Sequence, residues 1–129
     1  MSSQALLKFA LAVFGTIFLL VYPLAVVWPS GWAWHAGAPH DSQYFMMIVG
    51  VYATLGVFMI LASRDPAANS SLIRFVIWSS VVHAGVMAWE AVRNPMMAGH
   101  LYGDVPALIL IAVVLGYLTL DRPAARAAM

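Results

Sequence analysis

At 129 residues the chain has the length of one ordinary domain, yet 64% of it is hydrophobic and 9% charged, with a mean hydropathy of +0.90, which excludes a soluble globular composition. A formal net charge of +1 with no block of like charges excludes the electrostatic footprint of a nucleic-acid or polyanion binder. The lack of cysteine excludes disulfides, thiolate metal sites and thiol catalysis, so any chemistry belongs to His, Asp, Glu, Arg, Tyr and Met.

Crossing the hydrocarbon core of a bilayer takes about 20 apolar residues. Four such runs nearly fill residues 1–129, which reads as a single transmembrane domain. The first, 5–28, has Lys8 near its start and Pro23 near its end. Lys8 and the Ala36-Gly37-Ala38 triplet have the pattern of a secretory signal, but the run is longer than the roughly 7–15 residues of a signal core, which favours a retained span. The connection Pro29 to Asp41 holds Trp32, Trp34, His35, Pro39 and His40 and neither Lys nor Arg, a composition for the headgroup level.

The second run, 42–62, has Asp41 or Ser42 to cap it, and Gly50 and Thr54 one turn apart offer a small-residue strip for close helix contact. Arg64-Asp65-Pro66 stops this helix and Asn69-Ser70-Ser71 caps the next. The third run, 71–92, alone carries ionisable groups deep inside an apolar stretch. His83 and Glu90 are close to two helical turns apart, so they leave one face together with Ser79 and Met87, and Arg93 follows one turn beyond Glu90. Trp78 and Trp89 share the opposite face with Phe75 and Val82. Asn94-Pro95 ends the helix, Met96, Met97, His100 and Tyr102 occupy the next loop, and the fourth run spans 104–120. Asp104 before Val105-Pro106 has the form of an N-cap, and Ala112 with Gly116 makes a second small-residue strip.

Four spans place both termini on one side. Lys8, Arg64, Arg74, Arg122 and Arg126 fall on that side against Arg93 alone on the other, so the termini are expected in the cytoplasm and the chain in a bacterial inner membrane as a multi-pass protein. The fold class expected is an all-α integral membrane four-helix bundle. His35, His40, Glu90, Arg93, His100 and Asp104 then gather near the outer face, with His83 about mid-span. A buried ionisable group in lipid normally faces a partner or a watery cavity.

Each residue also has a purely structural role open to it. His83 can be satisfied by Ser79 or a backbone carbonyl, Glu90 by Arg93, Asp41 and Asp104 by capping, the surface histidines by water, and the methionines by packing. The functional expectation is an outward polar pocket that binds a lipid, a quinone or a similar small apolar molecule, with His83, Glu90, Ser79, Met87 and Arg93 as ligand-binding residues. Trp32, Trp34, Phe45 and Met87 would form its apolar walls.

Three alternatives stand beside it. The aromatic face of the third span and the small-residue strips suit an accessory subunit of a larger membrane complex, or a homo-oligomer. His35, His40, His83 and His100 are the candidate ligands of a copper or haem site, although their spacing forms no recognised motif and no cofactor is identified. A membrane-embedded enzyme using His83 and Glu90 as acid and base on a lipid-soluble substrate is weaker, since no catalytic residues are assignable by motif.

Ala62-Ser63-Arg64, Ser71-Leu72-Ile73, Trp78-Ser79-Ser80, His83-Ala84 and His100-Leu101 with Gly103-Asp104-Val105-Pro106 resemble an uncharacterised family of small bacterial four-span membrane proteins, a domain of unknown function. That resemblance runs from the second span onward and implies the four-helix architecture without implying any chemistry. More distantly, span count and an inward His/Glu pair are similar to DoxX-like and emopamil-binding-type bundles.

Overall fold

The computed structural model describes residues 1–35 and 37–120. Arg122 and Arg126, invoked for the topology, and Ala36 of the signal-like triplet lie outside the described residues. The architecture is predominantly α-helical, and serine hydroxyls cap the starts of two of the helices. Helix α1 is Ser3–Leu19, and the Ser2 hydroxyl accepts from the Ala5 N–H at 3.2 Å, satisfying one of the orphan donors of the first turn. Helix α2 is Val21–Val27. Helix α3, Gln43–Ala62, is capped by Ser42, whose hydroxyl accepts from the Phe45 N–H; Asp41 does not cap it. Helix α4 is Ser70–Arg93, and α5 is Asp104–Leu120. Between them a 3₁₀ segment, Pro95–Leu101, starts with the Asn94 side chain accepting from the Met96 N–H.

The apolar run read as one span from 5 to 28 is two helices, bent by 62°. Pro23 supplies the reason. It has no N–H to give the carbonyl of Leu19, and its ring crowds that same carbonyl. The break falls there, with Leu20 outside helical geometry at φ −97° and ψ 13°. After α2 the chain stays at the same end of the bundle through two 3₁₀ turns, Pro29–Trp32 and Pro39–Asp41.

By length and composition, α3, α4 and the continuous stretch Pro95–Leu120 are each able to cross a membrane, and the bent α1–α2 pair makes a fourth span if it counts as one. Helix α1 sits between α3 and α5, α4 packs on α5, and α3 barely touches α4. The tightest part of the core lies in the half of the bundle away from α2, where Leu7, Leu11, Met59, Ile73, Val76 and Leu115 are sealed from solvent. Large apolar groups also cover the outside: Trp78 is 67% and Trp89 61% exposed on α4, which hydrocarbon accommodates and water does not.

Small residues do set one helix crossing, though at a pair other than the strips expected from sequence. A Cβ on Gly15 would lie 2.7 Å from the Gly56 carbonyl oxygen, and one on Gly56 would collide with the Gly15 carbonyl, so α1 and α3 meet backbone to backbone. Gly50 and Gly116 have open space beside them. Spacing alone shows that a strip exists and leaves its facing open. Gly56→Ala is therefore expected to weaken the α1–α3 crossing by about 1–3 kcal/mol, the usual cost of overpacking. Gly50→Ala and Gly116→Ala should be near neutral, because helices separated within a bilayer stay helical. Reversible unfolding in mixed micelles, comparing the three variants with the parent, checks both halves.

Candidate ligand-binding site

The bent α1–α2 unit and the adjoining halves of α3, α4 and α5 line a cavity of about 250 Å³. Its walls are mostly apolar, from Phe18, Leu24, Trp28, Phe45, Ile48 and Ile111 among others. Among the described residues, the hydroxyl, imidazole and carboxylate side chains that reach it are Tyr52, His83, His100 and Asp104. They form two pairs.

His100 ends the 3₁₀ segment and Asp104 begins α5, four positions on. Both side chains are 8% exposed, and His100 Nδ1 lies 2.8 Å and 2.9 Å from the two carboxylate oxygens. Asp104 thus holds a histidine and does not cap its helix. Its place in the first turn of α5 sets the carboxylate at the positive end of the helix dipole. An ionised carboxylate only accepts, so the Nδ1 of His100 carries its proton and donates.

Tyr52 of α3 and His83 of α4 make the second pair, phenol oxygen against imidazole Nδ1. The Tyr52 ring also packs edge-on against Phe18 at 4.8 Å. This bond joins α3 and α4 where the two helices otherwise scarcely meet. Among the described residues, Nε2 of neither His83 nor His100 has a hydrogen-bond partner, and neither is among the buried unsatisfied atoms, so both remain accessible.

The cavity is closed at its end by the segment after α2. A Cβ on Gly103 would collide with the Gly31 carbonyl, and one on Gly99 with the Ser30 carbonyl. Only glycine allows that approach. It brings Gly31, Trp28 and Trp32 to the cavity, with the Trp28 ring folded against Gly31.

The residues singled out from sequence part company here. His83 and Met87 line the cavity. Ser79 is half-buried and donates to the Val76 carbonyl of its own helix at 3.2 Å. Glu90 and Arg93 are exposed and do not line the cavity; the Arg93 guanidinium lies 5.5 Å from the Trp89 ring centre. Among the described residues Glu90 forms no ion pair. The inward face of α4 is set by Ile73, Val76, Ser80, Ala84 and Ala91, which pack within the bundle. Projected on a helix of 3.6 residues per turn, Ser79 and Glu90 lie roughly a quarter turn from that face, while Met87 lies close to it.

His35 is exposed, and His40 sits at the surface beside Tyr22 and Asp41, apart from the cavity that holds His83 and His100. Among the described residues no group of three or more His, Asp or Glu side chains converges as a metal ion would need. Trp32 and Phe45 line the cavity, whereas the Trp34 indole donates to the Gly37 carbonyl. Tyr52 and the His100–Asp104 pair were not grouped by the sequence. The i, i+4 spacing of the latter is visible, but an acid ahead of Val105-Pro106 has the form of a cap, and Tyr52 carries no local signal of its facing.

The chain matches the family of unknown function DUF6632 over residues 1–127 and belongs to that family. No curated protein and no solved structure matches it. Membership carries the several membrane-spanning-length helices, and none of these comparisons supports the DoxX-like or emopamil-binding likeness.

Because the closing segment depends on the Gly31–Gly103 approach, Gly103→Ala should lift it from the cavity. The expected result is increased quenching of tryptophan fluorescence by an aqueous quencher, against little change for Gly116→Ala, whose surroundings are open.

Proposed function

We propose that the protein is a four-span bundle of a bacterial inner membrane, with both termini cytoplasmic, whose cavity in the outer half of the bundle holds a small apolar molecule by its polar head. The observation that carries this is the company of two paired imidazoles in an otherwise apolar cavity. Polar groups are costly to bury in such a setting, and a few converging ones amid apolar walls are what orient a ligand. At about 250 Å³ the cavity suits a head and its first carbons. A longer tail leaves between α3 and α4, where contact is sparse.

In this reading His83 and Met87 keep the roles expected of them, Tyr52, His100 and Asp104 join the site, and Glu90, Ser79 and Arg93 stand outside it. Lys8, Arg64 and Arg74 lie at the end opposite Arg93, which supports the orientation. A second reading, an accessory subunit of a larger complex, is favoured by the exposed Trp78 and Trp89 on one face of α4, a surface fit for another apolar helix as well as for lipid.

Native mass spectrometry after gentle extraction from the membrane tests the ligand. A small-molecule adduct on the parent, diminished in His83→Ala, is the expected outcome; a bare chain with a solvent-inaccessible interior would sink the proposal. The orientation is tested separately, since the chain has no cysteine to interfere. Met96→Cys should react with a membrane-impermeant maleimide in intact spheroplasts and Ala67→Cys only after lysis, and the reverse pattern would invert the topology.

A further inference from the structure

The two imidazoles of the cavity are held in opposite hydrogen-bonding states. Asp104 accepts from His100 Nδ1–H, so in the neutral ring the accessible Nε2 of His100 bears a lone pair and must accept. At His83 the partner is a phenol, which donates more readily than it accepts. Tyr52 O–H therefore gives to Nδ1, and the free Nε2 of His83 keeps its proton and donates. One cavity thus offers an acceptor on the α5 side and a donor on the α4 side, with no partner for either among the described residues.

From this arrangement we infer that the ligand head carries a hydroxyl, which donates to His100 Nε2 and accepts from His83 Nε2–H; the inference rests on the ligand-binding reading above. A hydroxyl is the smallest group that does both. A ketone, ether or ester head satisfies His83 and leaves the His100 nitrogen unpaired in an apolar cavity, which a site built to pair with an O–H penalises. A cationic head is disfavoured for another reason. The carboxylate of Asp104 is already turned to His100, and both of its oxygens are engaged there. The class is therefore a lipid-soluble alcohol or phenol.

The probes are para-octylphenol and para-octylanisole, which differ by one O-methyl group, titrated into the full chain in detergent and followed by native mass spectrometry. The parent protein should prefer the phenol by about tenfold. In His100→Phe that preference should fall to near unity, and because both proteins meet the same micelles the comparison cancels any difference in partitioning. Equal binding of the two probes by the parent protein overturns the hydroxyl inference and leaves the cavity reading standing. Binding of neither overturns the cavity reading itself. A preference that survives His100→Phe places the hydroxyl elsewhere and also overturns the inference.

If His100→Phe does not fold, the imidazole nitrogen spectrum of the ¹⁵N-histidine-labelled parent decides. His100 Nε2 should be the unprotonated ring nitrogen and should shift with the phenol and not with the anisole. A protonated Nε2 in the neutral ring refutes the assignment.

Discussion

Pro23 cannot donate a backbone hydrogen bond, and one end of the molecule is shaped by that. A continuous helix from Ser3 would have carried the chain straight out of the bundle. The break at Leu20 turns α2 through 62°, and the following residues are held at the end of the other helices. There Gly31 meets Gly103 and Ser30 meets Gly99 at distances that leave no room for a Cβ. The bend alone would only deflect the chain. The glycine contacts dock it, and between the docked segment and the helices below remains the space that the side chains do not fill. In lipid such irregular backbone is tolerated only where it is buried in protein or lines a cavity.

The polar pairs follow from the same enclosure. In an apolar surround an unpaired carboxylate is expensive enough to be avoided, and Asp104 directs both oxygens to His100. The spacing works because the 3₁₀ segment runs into α5 through Tyr102 and Gly103, which brings position 100 beside position 104. Tyr52 and His83 do for the α3–α4 side what packing does elsewhere. Without that bond little would hold those two helices at mid-height, and a hydrogen bond between transmembrane helices is a modest link, on the order of 0.6–2 kcal/mol. The side of the cavity with the least packing is therefore the side closed by the most easily exchanged interaction.

The rest of the bundle is built in the ordinary way of membrane helices. Gly15 and Gly56 let α1 and α3 touch along their backbones, the sealed core fills the half remote from α2, and bulky apolar groups face outward. The match to the DUF6632 family covers residues 1–127, nearly the whole chain. Of the four histidines, His35 and His40 stay at the surface while His83 and His100 line the cavity.

Composition and hydropathy determined by themselves that this is a helical membrane protein, because an apolar run of fixed length has few other places to go. The breakers at Pro66 and at the Asn94-Pro95 junction marked helix ends, and the Ser42 cap was also legible, since each of these acts through neighbouring backbone alone. His83 stood out as the ionisable residue deep in its span. Tertiary structure decided its partner. Along α4 the repeat placed Glu90 with His83, but the small residues Ser80, Ala84 and Ala91 turned the helix so that Met87 faces in and Glu90 faces out. Tyr52 and the Gly15–Gly56 and Gly31–Gly103 contacts join residues far apart in the chain, and no local pattern encodes them. Helical periodicity specifies which residues share a face; only packing against other helices specifies which way that face points.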